Sequence, residues 1–179
     1  EQERLERLDR GEVYLPMVPT KILVDIDPTE ETVVTMPLSA GSVISAAETQ
    51  SVRLAVPAGV ARDENGEPSV DAQVGISTVP PELVRDMLPP GLMQHTFDLT
   101  IQAPGVTTFL TPARLTVPNV FDSPPGTKLN LLSFDHTTGR LVMEGTATVS
   151  ADGLTVTTDP GSGITKPGSG KERTLQGVQ

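Results

Sequence analysis

The chain has no cysteine, no tryptophan and one tyrosine among its 179 residues. Without thiols it forms neither disulfides nor thiolate metal sites. A cysteine-free chain suits the cytosol and a bacterial exterior equally, so this absence leaves the compartment open. Aromatic residues amount to 3%. The core therefore has to be aliphatic, and no ring platform is at hand on which a sugar would stack. Basic residues are scarce too: 13 Lys and Arg face 23 Asp and Glu, for a formal net charge of -10. That argues against nucleic acid, whose phosphates need Lys and Arg, and against docking on anionic membranes. No apolar run approaches the length of a membrane span, and no segment reads as a secretory signal.

What the chain does have is glycine and proline, 16 and 17 of them, which break helices and favour short strands joined by turns. Alternation of period two recurs along it. In "KILVDID", Ile22, Val24 and Ile26 oppose Asp25 and Asp27. In "ETVVTMP", Thr32, Val34 and Met36 oppose Val33 and Thr35. "SVRLAVP" sets Val52, Leu54 and Val56 against Arg53, and "SVDAQVGI" sets Val70, Ala72, Val74 and Ile76 against Asp71 and Gln73. "HTFDLTIQAPG" and "PARLTVP" repeat the pattern, while "KLNLLSFD" is apolar on both faces and reads as a central strand. "RLVMEG", "TATVS" and "LTVTTD" follow, with "HTTGR" and "ADG" as turns. Such alternation marks strands with one buried and one wet face, and its spacing predicts an all-β fold, an antiparallel β-sandwich. "VPPELVRDMLPPGL" predicts one or two helical turns capping the sheets, opened by Pro80 and Pro81 and stopped by Pro89, Pro90 and Gly91.

The expected organisation is residues 1–11 as a linker or short helix, 12–168 as the sandwich module, and 169–179 as a flexible tail. Within the module, 12–50 supplies N-terminal strands and 51–168 the remainder. The charged opening "EQERLERLDR" fits a mature secreted chain and a piece of a longer polypeptide alike.

The densest cluster of oxygen ligands is "DENGEPSVD", where Asp63, Asn65, Glu67 and Asp71 are calcium candidates. The EF-hand spacing is missing, and Asn65-Gly66 between alternating runs is a strong hairpin signal. A turn is the first reading and calcium the second. His95 and His136 are the only histidines, near Asp98 and Asp135. Neither HxH nor HExxH spacing supports a metal there. No GxSxG elbow or phosphate-binding loop is present. The expectation is no catalytic residue and no cofactor, calcium aside.

Three runs, "LAVPAGVARDENGEPSVDAQVGISTVPPELVRDMLPPGL", "LTIQAPGVTTFLTPARLTVPN" and "LLSFDHTTGRLVMEGTATVSADGLTVTTDPGSGITKPG", together resemble a ZU-five-like β-sandwich module of large bacterial surface and secreted proteins. The shared features are Pro57-Ala58-Gly59 at a strand end, Phe109 to Pro112 before a strand, and Leu131 to Phe134 before a glycine turn. Such modules often stand beside carboxypeptidase-regulatory-like domains and Rhs or teneurin-like repeats. The resemblance implies an extracellular or cell-surface, non-catalytic structural, spacer or docking role. The implied partners are neighbouring domains of the same polypeptide or assembly. The chain departs from the bacterial pattern after Gly168, where Ser169 and Gly170 replace the usual Trp-containing continuation. Some eukaryotic relatives cleave themselves at a His-Phe-Ser step; "SFDH" at Ser133 to His136 and "HTF" at His95 to Phe97 lack that order. A calcium-assisted ligand-binding or adhesion module is the alternative reading.

Overall fold

The computed structural model describes residues 22–37, 45–78, 99–120, 122–135, 140–167 and 174–178. In chain order these form β1 (Val24–Asp25), β2 (Thr32–Thr35), helix α1 (Ala46–Ser51), β3 (Arg53–Val56), β4 (Ala61–Arg62), β5 (Gln73–Thr78) and β6 (Leu99–Gln102). Then come β7 (Thr108–Phe109), β8 (Arg114–Pro118), β9 (Lys128–Asp135), β10 (Arg140–Val149), β11 (Thr155–Thr158) and β12 (Thr174–Val178). Among the described residues the fold is all-β, with little helix and no closed barrel. No helix among the described residues is long and apolar enough to cross a membrane.

Ten strands form one antiparallel sheet in the order β1-β5-β6-β12-β9-β10-β11-β8-β3-β2, while β4 and β7 pair separately. The large sheet curls so that β2, at one end, packs on β5, near the other. Between these layers lie Val34, Leu54, Val56 and Leu115 from one side and Val74, Ile76, Leu99 and Ile101 from the other, all within one apolar cluster. A smaller cluster of Leu129, Ala147, Val149 and Val156 is joined to it by Val117. Each such side chain contributes about 1.5–3 kcal/mol by leaving water. Leu54 is fully buried, and its truncation to Ala would cost about 2–5 kcal/mol.

The alternation places Thr32, Val34 and Met36 inside and Val33 and Thr35 outside, as its period requires. Two runs break off early. Val70 is 85% exposed, because Asp71 takes a left-handed φ of 54° and turns the chain before β5 begins. Val24 is also exposed, since β1 is only two residues long and pairs on one side alone. "RLVMEG" and "TATVS" are one strand, β10, broken by a bulge between Met143 and Gly145.

Helix α1 lies where the alternation gave no helix. Its start is a capping box: the Ser45 hydroxyl accepts the Glu48 N–H at 3.2 Å, and the Glu48 carboxylate accepts the Ser45 N–H at 2.7 Å. The helix expected at 80–91 and the segment 1–11 lie outside the described residues. The tail expected to be free at 169–179 instead contributes β12, which pairs with β6 through Thr174–Thr100 and with β9 through Leu175–Ser133. The physical reason is backbone supply. One short strand satisfies the N–H and C=O groups of two sheet edges at once, whatever its side-chain pattern.

Candidate functional site

Three polar features stand out from this framework. The first is a shallow groove of about 460 Å³ on the wet face of the sheet, within the size range of ligand sites. Register builds it. Arg53 on β3 lies opposite Thr116 on β8, which lies opposite Thr157 on β11. Val33, Ala55 and Arg114 form the neighbouring row across β2, β3 and β8. Thr116 and Thr157 join their hydroxyls at 3.1 Å. Arg53 is exposed, and its side chain makes no hydrogen bond or ion pair with any described residue. The Arg114 guanidinium lies 3.6 Å from Oε1 of Glu31, with both side chains at least half exposed.

The second is a cavity of about 10 Å³ lined by apolar Ile101, Ile164 and Pro167 and by polar Ser133, Glu144 and Lys166. Glu144 is the extra residue of the β10 bulge, and Ser133 donates to its Oε1 at 2.7 Å. There is room for about one water and none for a substrate.

The third is the Asp159 network. Its carboxylate receives Lys128 Nζ at 2.8 Å, the Thr146 hydroxyl at 2.6 Å and the Thr148 hydroxyl. Lys128 also donates to Thr148 at 2.7 Å. The Lys128 ammonium first, then the two hydroxyls, hold the Asp159 carboxyl down at about 2. The contact is a clamp, an ion pair reinforced by two hydroxyls.

The acidic segment is a tight turn. Asp63 Oδ1 accepts the N–H groups of Asn65 at 2.8 Å and Glu67 at 3.0 Å, and Gly66 takes a φ of 82°. Desolvation raises the Asp63 carboxyl, but the backbone N–H groups of Asn65 and Glu67 outweigh it and hold it below the usual range. The Asp63 N–H closes the turn on the Glu67 carbonyl at 2.9 Å. Asp71 sits in a separate turn before β5. Among the described residues no group of three or more His, Cys, Asp or Glu side chains comes together to hold a metal. His95 and His136 lie outside the described residues.

Comparison of the chain with family models, with curated proteins and with solved structures finds no match. The site features above were only half visible in sequence. Alternation put Arg53 and Arg114 on the polar faces of their strands, but nothing local announces that those strands are neighbours.

Proposed function

We propose that this chain is a non-catalytic structural and docking module of a large extracellular bacterial protein, in keeping with its resemblance to ZU-five-like sandwich modules. The observation that carries the reading is where its polar side chains spend their hydrogen bonds. Asp159 ties the segment after β11 to Thr146 and Thr148 on β10 and to Lys128 on β9. Asn119 likewise ties Ser123 to Gly153. Bonds between segments distant in sequence stiffen a framework, which is what a spacer between domains requires.

Pulling the domain by its ends in a single-molecule force experiment tests this. A spacer yields in one cooperative step, at a force that drops when Asp159 is replaced by Ala. Gradual extension at low force in the unaltered chain would overturn the reading.

A further inference from the structure

The groove differs from the two clamps because its charged donors face outward. In a chain of net charge -10, Arg53 stands exposed without a partner among the described residues. Arg114 is more informative. It sits on β8, opposite Ala55 on β3, which is opposite Val33 on β2. Yet its guanidinium comes within 3.6 Å of Glu31, the residue just before β2. The arginine thus lies across two strands, passing over the small Ala55 side chain, and meets a carboxylate at the margin of the sheet.

Among the described strands that margin is unpaired: β2 pairs with β3 alone, so no described strand pairs with the other side of its backbone. Two of its outward side chains, Val33 and Thr35, are exposed. A free edge pairs readily with an extended segment, main chain to main chain. A strand added there would lie about 9–10 Å from β3, a gap that an arginine and a glutamate reaching toward each other can span.

We propose that the wet face of β2, β3 and β8 is a docking surface for an extended acidic peptide, which pairs with the free edge of β2 and places its carboxylates on Arg53 and Arg114. Glu31 marks the position of one such carboxylate and exchanges with it. A peptide fits better than an acidic glycan. The groove is lined by Thr, Ser, Val, Ala and Arg with no aromatic ring, and a glycan lacks the repeating N–H and C=O groups that pair with a strand edge. The inference rests on reading the domain as a docking module and names the chemistry of what docks.

The test uses the full chain and the capped peptide Thr-Glu-Val-Glu-Val-Glu-Thr, with binding followed by calorimetry and by amide NMR. Binding is expected to shift the amides of Thr32 to Thr35 and to weaken as salt rises. The Arg53→Ala/Arg114→Ala variant should bind about fivefold more weakly or worse with an unchanged melting temperature. Two further peptides carry N-methyl groups on alternate residues, each blocking one edge. One should bind like the parent and the other should fail. Equal behaviour of the two would discard edge pairing, and equal binding of a galacturonate oligomer of matched charge would replace the peptide by a polyanionic glycan. Either result overturns this proposal and leaves the force experiment, and the spacer reading, untouched.

Discussion

Ser133 and Glu144 are joined at 2.7 Å across adjacent strands, at the place where β10 carries one residue more than β9 opposite it. In unbroken register Ser133 pairs with Val142 and Leu131 would meet a residue one place earlier than Gly145. Glu144, the unpaired residue of the bulge, takes the hydroxyl of a serine that is 3% exposed. A hydrogen bond to a charged group at such a place is worth about 1.5–3 kcal/mol. Ser133→Ala should therefore lose about that much in urea unfolding, and Glu144→Gln less, because its carbonyl oxygen still accepts. The same bond leaves the hydroxyl committed. Mass spectrometry after prolonged incubation should find one intact chain, and fragments cut between Leu131 and His136 would show that the serine is a nucleophile after all.

Asp159 predicts an acid-sensitive clamp. Its folded-state carboxyl is held down at about 2, below the ordinary 3.8. A depressed carboxyl adds stability that is fully present above the unfolded value and fades as pH falls through the folded one. The stability gap between the parent and Asp159→Asn should hold steady from neutral pH to about pH 4 and close toward about pH 2. A gap independent of pH across that window would mean that the carboxylate charge contributes nothing.

Gly163 should tolerate no side chain. Its φ is 144°, and an added Cβ would sit 2.3 Å from the carbonyl oxygen of Ala113. That oxygen is fixed, since Ala113 and Ile164 exchange both backbone hydrogen bonds at 2.9 Å. Gly66 also has a positive φ, of 82°, but an added Cβ meets nothing within 4 Å. Gly66→Ala should cost only the left-handed backbone penalty, about 1–2 kcal/mol. Gly163→Ala should cost clearly more, and equal melting temperatures for the two variants would refute the close approach.

These contrasts show what the sequence could and could not disclose. Facing is local: the period of two put Val34, Leu54, Val56 and Leu115 inside and Arg53 and Arg114 outside, and the structure agrees. The strand read from "KLNLLSFD" spans the same residues as β9. Adjacency is not local. That β8 lies between β11 and β3, and so makes one groove from two distant arginines, depends on chain closure over more than fifty residues. The Glu144 bulge was equally hidden, because one extra residue in a strand leaves no compositional trace. Helix α1 is different. Ser45 and Glu48 spell its capping box openly, and a reading guided by alternation alone passed over it.

Calcium supplies a separate check on the acidic turn. Asp63 already spends Oδ1 on two backbone N–H groups, and a lone turn offers few of the six to eight oxygens that calcium takes. Millimolar calcium should leave the melting temperature where it was. Any ligand of the folded state must raise it by mass action. An upward shift that vanishes in Asp63→Ala would restore the metal reading.

Asn119 provides the sharpest chemical test of the framework. It is 9% exposed, and its amide uses both ends. Nδ2 donates to the carbonyls of Ser123 at 2.9 Å and Gly153 at 2.8 Å, while Oδ1 accepts the Ser123 N–H at 3.1 Å. The Asn119 N–H adds a bond to the Leu154 carbonyl at 2.9 Å. Asn119→Asp keeps size and shape but turns the two donors into an anion facing two carbonyl oxygens. The expected loss at neutral pH is about 3 kcal/mol or more, the scale for an uncompensated buried charge. Protonation returns one donor, so the folded state should raise the carboxyl of this variant. A raised carboxyl costs stability above its folded value and regains it as pH falls. The deficit relative to the parent should therefore shrink between about pH 7 and pH 4, a window in which the gap at Asp159 holds steady. Urea titrations of both variants at the two pH values distinguish the cases. A deficit at Asn119→Asp that stays constant would show that the cost comes from packing and not from the donors turned toward Ser123 and Gly153.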